Sequence, residues 1–166
     1  MSIFDKPNAD RPKVSLRMTS LEMAVEAIAL AGIAVNLLLF VVYWPKLPDT
    51  AVAAGAGVSR STMFMLVTLL PFVVYISTTA MGFFPRLFSY PVKITTENAA
   101  REYGLAAGLL RVVKAEVVVG MLIVEWVFIN ISMGEDMTLS PPFMILFFGL
   151  LVLTILYFVY EMYKQK

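Results

Sequence analysis

Four stretches of the chain are almost wholly apolar, at about residues 21–44, 63–84, 112–133 and 143–163. Each is close to the length of a membrane-crossing helix, since a hydrocarbon core about 30 Å thick takes about 20 helical residues at a rise of about 1.5 Å each. The pattern predicts an all-α polytopic membrane protein: a polar arm over residues 1–20, then one four-helix transmembrane domain over residues 21–166. Thr19 or Ser20 is placed to cap the first span, Glu22 sits in its first turn, Pro45 stops it, and Tyr43 and Trp44 form its interfacial belt. The segment PKLPDTAVAAGAGVSRST reads as a turn at Pro48-Asp49 followed by a loop of small residues. Inside the second span, Pro71 deletes a backbone donor and is expected to kink the helix, with Thr68 near enough to satisfy a freed carbonyl.

Between the second and third spans the character changes. Thr95 or Thr96 is placed to cap a helix whose first turn holds Glu97, with Glu97 and Arg101 at i and i+4 as a supporting pair. Its early turns mix polar groups with Tyr103, Leu105, Leu109 and Leu110, so it should lie on the membrane surface before becoming the third span. Gly104 and Gly108 have the spacing of a small-residue packing motif, here best suited to contact with the chain's own helices. Gly134-Glu135-Asp136 forms a turn, and the fourth span follows Ser140-Pro141-Pro142.

Basic residues set the orientation. Lys6, Arg11, Lys13 and Arg17 precede the first span; Arg86, Lys93, Arg101, Arg111 and Lys114 lie between the second and third; Lys164 and Lys166 end the chain. Only Lys46 and Arg60 fall on the other side, so the bias places both termini and the long middle connection in the cytoplasm. The first apolar run exceeds the 7 to 15 residues of a signal h-region, so the arm is expected to stay attached.

Composition narrows the chemistry. The 166 residues are 60% hydrophobic and 15% charged with a net charge of +1, which gives no pull toward nucleic acid. With no Cys and no His, disulfides, thiolate clusters and imidazole ligation of a metal, haem or chlorophyll by this chain are excluded. No phosphate-cradling glycine loop, activated nucleophile or carboxylate pair of metal-site spacing occurs. No cofactor, no small-molecule substrate and no enzymatic activity are expected.

Three polar residues fall within the apolar stretches: Glu26 and Asn36 in the first and Glu125 in the third. A carboxylate at mid-depth costs about 2.5 to 3.5 kcal/mol on insertion scales, so it faces protein or holds its proton. Glu125 lies about 16 Å beyond Lys114, and Asn36 and Glu125 stand at similar depths below the outer boundary. They are expected to hydrogen-bond as a buried structural pair, with a proton or cation relay as the functional alternative. Glu26 lies about one turn inside the cytoplasmic boundary, within reach of Arg111 or Lys114.

Two stretches carry a resemblance. Leu47-Pro48-Asp49-Thr50 after the first span, and Tyr90-Pro91-Val92-Lys93-Ile94-Thr95-Thr96-Glu97-Asn98 before the third, resemble a bacterial membrane family of unknown function whose domain also precedes the SdpI-type immunity module. The family's loop His is missing here, where Ala51-Val52-Ala53-Ala54-Gly55 stands. The resemblance implies a small bundle in the bacterial inner membrane and a relation to proteins that sense or resist membrane-active peptides. Three functions are therefore in view. The leading one is a non-catalytic accessory subunit that packs against other membrane protein subunits, such as those of an energy-transducing complex. The others are an SdpI-like immunity protein, and a small transporter or channel using Glu125, which needs a polar pathway beyond Glu125, Asn36, Thr78 and Thr79.

Overall fold

The computed structural model of the chain describes residues 11–47, 50–53, 56–59, 62 and 65–164. It is built on four helices: α1 (Ser20–Tyr43), α2 (Leu70–Gly82), α3 (Ala99–Ser132) and α4 (Pro141–Tyr163). By length and composition two segments could cross a membrane, Ser20–Lys46 and Pro141–Tyr163, and a shorter apolar helix covers Leu66–Gly82.

Local chemistry explains the boundaries. Thr19 and Glu22 form a reciprocal cap on α1, with the Thr19 amide donating to Glu22 Oε2 at 2.7 Å and the Glu22 amide to Thr19 Oγ1 at 3.2 Å. A 3-10 turn at Trp44–Lys46, with Pro45 in it, ends the helix. Ser140 caps α4, which begins at Pro141 because a first-turn proline sacrifices no intrahelical bond. Ahead of α2 lies a π-helical turn, Met65–Leu69, so the widened backbone comes just before Pro71, which is itself buried.

Several expectations are corrected. Thr95 and Thr96 do not cap α3; Asn98 occupies the cap position, and its Oδ1 accepts from the Thr95 amide at 2.8 Å while its Nδ2 donates to the Lys93 carbonyl at 2.9 Å. Glu97 stands exposed in the turn before the helix, and Arg101 pairs with Glu102 and Glu161 instead. The small-residue loop after the first span forms an antiparallel hairpin, β1 (Thr50–Ala53) with β2 (Ala56–Ser59), with β1 lying against α3. Pro48 and Asp49 lie outside the described residues, while Leu47 is buried against Phe128.

The surface helix expected before the third span is the first part of α3 itself, which continues unbroken through Gly104 and Gly108 for 34 residues. At about 51 Å it is longer than a bilayer core is thick. Its early turns are buried in protein: Tyr90, Ile94, Ala99, Tyr103, Ala106 and Met162 form one cluster, with Val14 and Leu16 of the arm against it. Arg11, 6% exposed, donates to the backbone carbonyls of Arg86 at 2.9 Å and Phe88 at 2.6 Å, and its guanidinium stands 5.3 Å over the Tyr90 ring. Residues 11–16, irregular in backbone, are thus bound to the chain's own middle connection.

Within this cap Glu102 is 2% exposed, and burial raises its carboxyl above the usual 4.5 against the lowering pull of Arg101. An acid whose folded pKa is raised favours folding most below 4.5, and that contribution is lost as pH rises through the folded value. Glu102→Gln should therefore remove part of the fall in melting temperature between pH 4 and pH 7. Parallel melting curves for the two proteins check this.

α3 is the hub. α1, α2 and α4 each pack on it, and it buries residues along its whole length, whereas α4 buries Met162 and α1 a single stripe of Ala29, Gly32, Ile33 and Asn36. Small residues set the close approaches: a Cβ at Gly32 would stand 2.5 Å from Val118 Cγ1, and one at Gly120 would stand 2.2 Å from the Phe147 ring.

Candidate functional site

The buried stripe of α1 meets α3 in a ladder of polar contacts. Glu22 pairs with Arg111, Glu26 with Lys114 and Asn36 with Glu125, at sequence separations of 89, 88 and 89 residues. A near-constant offset means that the two helices run parallel and in register, each partner recurring on the facing side after one or more turns.

The middle rung is the most crowded. Lys114, with its side chain 3% exposed, places Nζ 2.7 Å from both Glu26 oxygens and 2.9 Å from Thr79 Oγ1, which uses all three ammonium donors. The same ammonium lies 4.4 Å from the Tyr75 ring centroid, and Tyr75 donates its hydroxyl to Glu26 Oε1 at 2.9 Å. α2 therefore enters the site through Tyr75 and Thr79, one turn apart on one face. Of the two cations in reach of Glu26, the structure brings Lys114 to it and turns Arg111 to Glu22. Lys114 is buried among protein groups at this level.

Deeper by eleven residues, about 16 Å along α3, is the third rung. Asn36, 0% exposed, donates through Nδ2 to Glu125 Oε2 at 2.6 Å, and Thr68 donates its hydroxyl to Glu125 Oε1 at 3.2 Å. The Thr68 hydroxyl thus serves the carboxyl of another helix, a partner not expected for it. Asn36 Oδ1 has no partner among the described residues. The interval between the rungs is closed by Ala29, Gly32, Ile33 and Val118, all buried, with Gly32 and Val118 in tight contact.

A further link ties α3 to α4, where Thr154 donates to Glu116 Oε1 at 2.5 Å. Glu22, Thr68, Tyr75 and Glu116 went unassigned in the sequence as site residues, and Thr79 was named only in the transporter reading. The signal for the first was present: Glu22 and Glu26 lie four apart on α1, and Arg111 and Lys114 three apart on α3, which is the spacing of two facing rungs. Of the remaining motif residues, Pro91 is buried beside Tyr90, while Thr95 and Asn98 shape the entry to α3.

Glu125 can be tested by two substitutions. Glu125→Gln keeps an acceptor for Asn36 Nδ2 and puts its amide nitrogen at the Thr68 hydroxyl, which can accept from it, so stability should change by less than about 0.5 kcal/mol. Glu125→Leu strands the Asn36 amide and the Thr68 hydroxyl in an apolar interior and should cost about 1 to 2 kcal/mol. Unfolding of the two variants in mixed micelles separates these outcomes.

Chemically, the arrangement locks helices: every cation in it faces a carboxylate, and among the described residues no three potential metal-binding groups converge. No known protein family, no curated protein and no solved structure matches the chain, so the ladder itself carries its interpretation.

Proposed function

We propose that the chain is a four-crossing protein of the bacterial inner membrane, with both ends cytoplasmic, that acts without catalysis as an accessory subunit of a larger membrane assembly, such as an energy-transducing complex. The parallel course of α1 and α3 favours this threading, because two helices pointing the same way need a returning segment between them, and Leu66–Gly82 is apolar and lies there. α3 is long enough to cross from about residue 112 onward with its first turns left in the cytoplasmic cap.

The observation that carries the subunit reading is α4. None of its most apolar stretch is buried, against 22% for α1, and Ile145, Leu146 and Leu153 are between 64% and 74% exposed. Apart from the face on α3, α4 offers its circumference to acyl chains and to other transmembrane helices. Native mass spectrometry of the full chain extracted in mild detergent tests the reading. A stoichiometric membrane partner is expected, held by the native chain and weakened by Leu146→Ala with Leu153→Ala. A chain that elutes alone contradicts it.

A relay through Glu125 fits the geometry less well. A relay needs a chain of polar groups or water, and the 16 Å or so between Lys114 and Glu125 is packed with Gly32, Ile33 and Val118.

A further inference from the structure

We propose that the groove between the first turns of α1 and the beginning of α3 binds the headgroup of an anionic phospholipid. The inference rests on the sidedness proposed above, which puts this groove at the inner leaflet. Its volume is about 560 Å³, and Arg17, Arg101 and Arg111 line it together with Glu22, while Arg101 also faces the carboxylates of Glu102 and Glu161, outside the lining. Arg101 and Arg111 stand ten residues apart on α3, about 15 Å along the axis. Arg111 meets Glu22, and Arg101 meets Glu102 and the Glu161 carbonyl, but each guanidinium has five N–H donors, so both keep donors for a phosphate. Arg17 is exposed at the mouth.

Apart from Ser15 and Thr19, the rest of the lining is apolar or glycine. Val25, Val112 and Phe158 continue the groove toward the hydrocarbon, so a charged rim stands over a greasy floor, the division found in a phospholipid itself. Gly104 is the second observation. A Cβ there would meet no atom within 4 Å, and its backbone is not in the left-handed region, so neither close packing nor conformation calls for glycine. Glycine in a helix is unfavourable relative to alanine, and what it leaves here is open space on the groove's floor. Gly108, one turn on, differs: a Cβ there would stand 3.1 Å from the Phe158 ring.

The test uses the full chain in mild detergent, titrated with phosphatidylglycerol and, separately, with phosphatidylcholine of the same acyl chains, with retained lipid read by native mass spectrometry. Phosphatidylglycerol should be retained at least about fivefold more tightly. Arg17→Gln should lose about fivefold, the effect of one basic group at an anionic surface. Gly104→Leu should lose at least as much by filling the groove, with helicity and melting temperature not lowered, since its Cβ enters open space and leucine favours the helix over glycine. Equal retention of the two lipids, or an unchanged preference in both variants, overturns the site. Displacement of phosphatidylglycerol by millimolar inorganic phosphate overturns the lipid as occupant in favour of a soluble phosphate. The sidedness is read separately, by labelling Ser15→Cys with an impermeant thiol reagent; labelling from the outer face would overturn the leaflet assignment even with the preference intact.

Discussion

Lys114→Ala is expected to lower the stability of the bundle by about 3 kcal/mol, measured by unfolding in mixed detergent and dodecyl sulfate micelles. The reason lies in what remains. Lys114 is almost fully enclosed, and its three donors are spent on Glu26 and Thr79. Truncation leaves the Glu26 carboxylate facing a void, with the Tyr75 hydroxyl donating to it and the Arg111 charge acting on it at longer range. Breaking a buried pair from one side costs about 3 to 5 kcal/mol, and the 23% exposure of the Glu26 side chain points to the lower end. Glu26→Gln combined with Lys114→Met should recover most of the loss, since no uncompensated charge then stays inside. A loss below about 1 kcal/mol for Lys114→Ala would mean that Glu26 finds water readily, and that α1 and α3 are not sealed there.

Gly32→Leu is expected to cost a comparable amount, and by a different route. α1 and α3 approach so closely at Gly32 that a Cβ alone would stand 2.5 Å from Val118 Cγ1. Val118 is 0% exposed, so its branched side chain has no space to enter. A leucine must push the helices apart, which costs about 1 to 3 kcal/mol in overpacking, and the separation also lengthens the Asn36–Glu125 bond one turn away. Gly32→Ala should do the same more mildly, and Val118→Ala in the same chain should restore much of the loss. The absence of that rescue would place the damage elsewhere than at this contact.

How far these contacts could be read beforehand depended on the kind of signal each leaves in a sequence. Asn36 and Glu125 were readable because a polar group in an apolar run is conspicuous, and helical rise converts sequence position into depth. The Glu26–Lys114 contact was half readable: the depth of Glu26 was informative, but two cations lay in range, and choosing between them requires the register of α1 on α3. The cross-helix partners of Thr68, Tyr75 and Thr79 left no such mark, since hydroxyls are cheap in an apolar helix and usually bond their own backbone, as Thr78 does to the Val74 carbonyl. Arg11 was illegible for a similar reason. Its partners are backbone carbonyls 75 and 77 residues away, and a carbonyl has no residue identity.

Helix limits followed the same division. The α1 cap at Thr19 and Glu22 is local chemistry and was visible as such. The start of α3 was not, because Thr95, Thr96 and Asn98 are all competent caps, and what decides among them is the burial of Tyr90 and Ile94 against Ala99 and Tyr103. The amphipathic look of the early α3 turns suggested a membrane surface. In the fold those apolar positions face the arm, the middle connection and the end of α4, so protein supplies the apolar environment that lipid was expected to provide.

The threading of the helices is tested most directly by labelling introduced thiols in intact cells with a membrane-impermeant reagent. The native chain has no cysteine, so each substitution supplies a single reporter. Ser15, Lys46, Ser89 and Thr138 are exposed and fall before α1, after α1, between α2 and α3, and between α3 and α4. Lys46→Cys and Thr138→Cys should label from outside, and Ser15→Cys and Ser89→Cys only after the membrane is opened. Labelling of Lys46→Cys and Ser89→Cys from the same side would contradict a returning α2, and with it the four crossings.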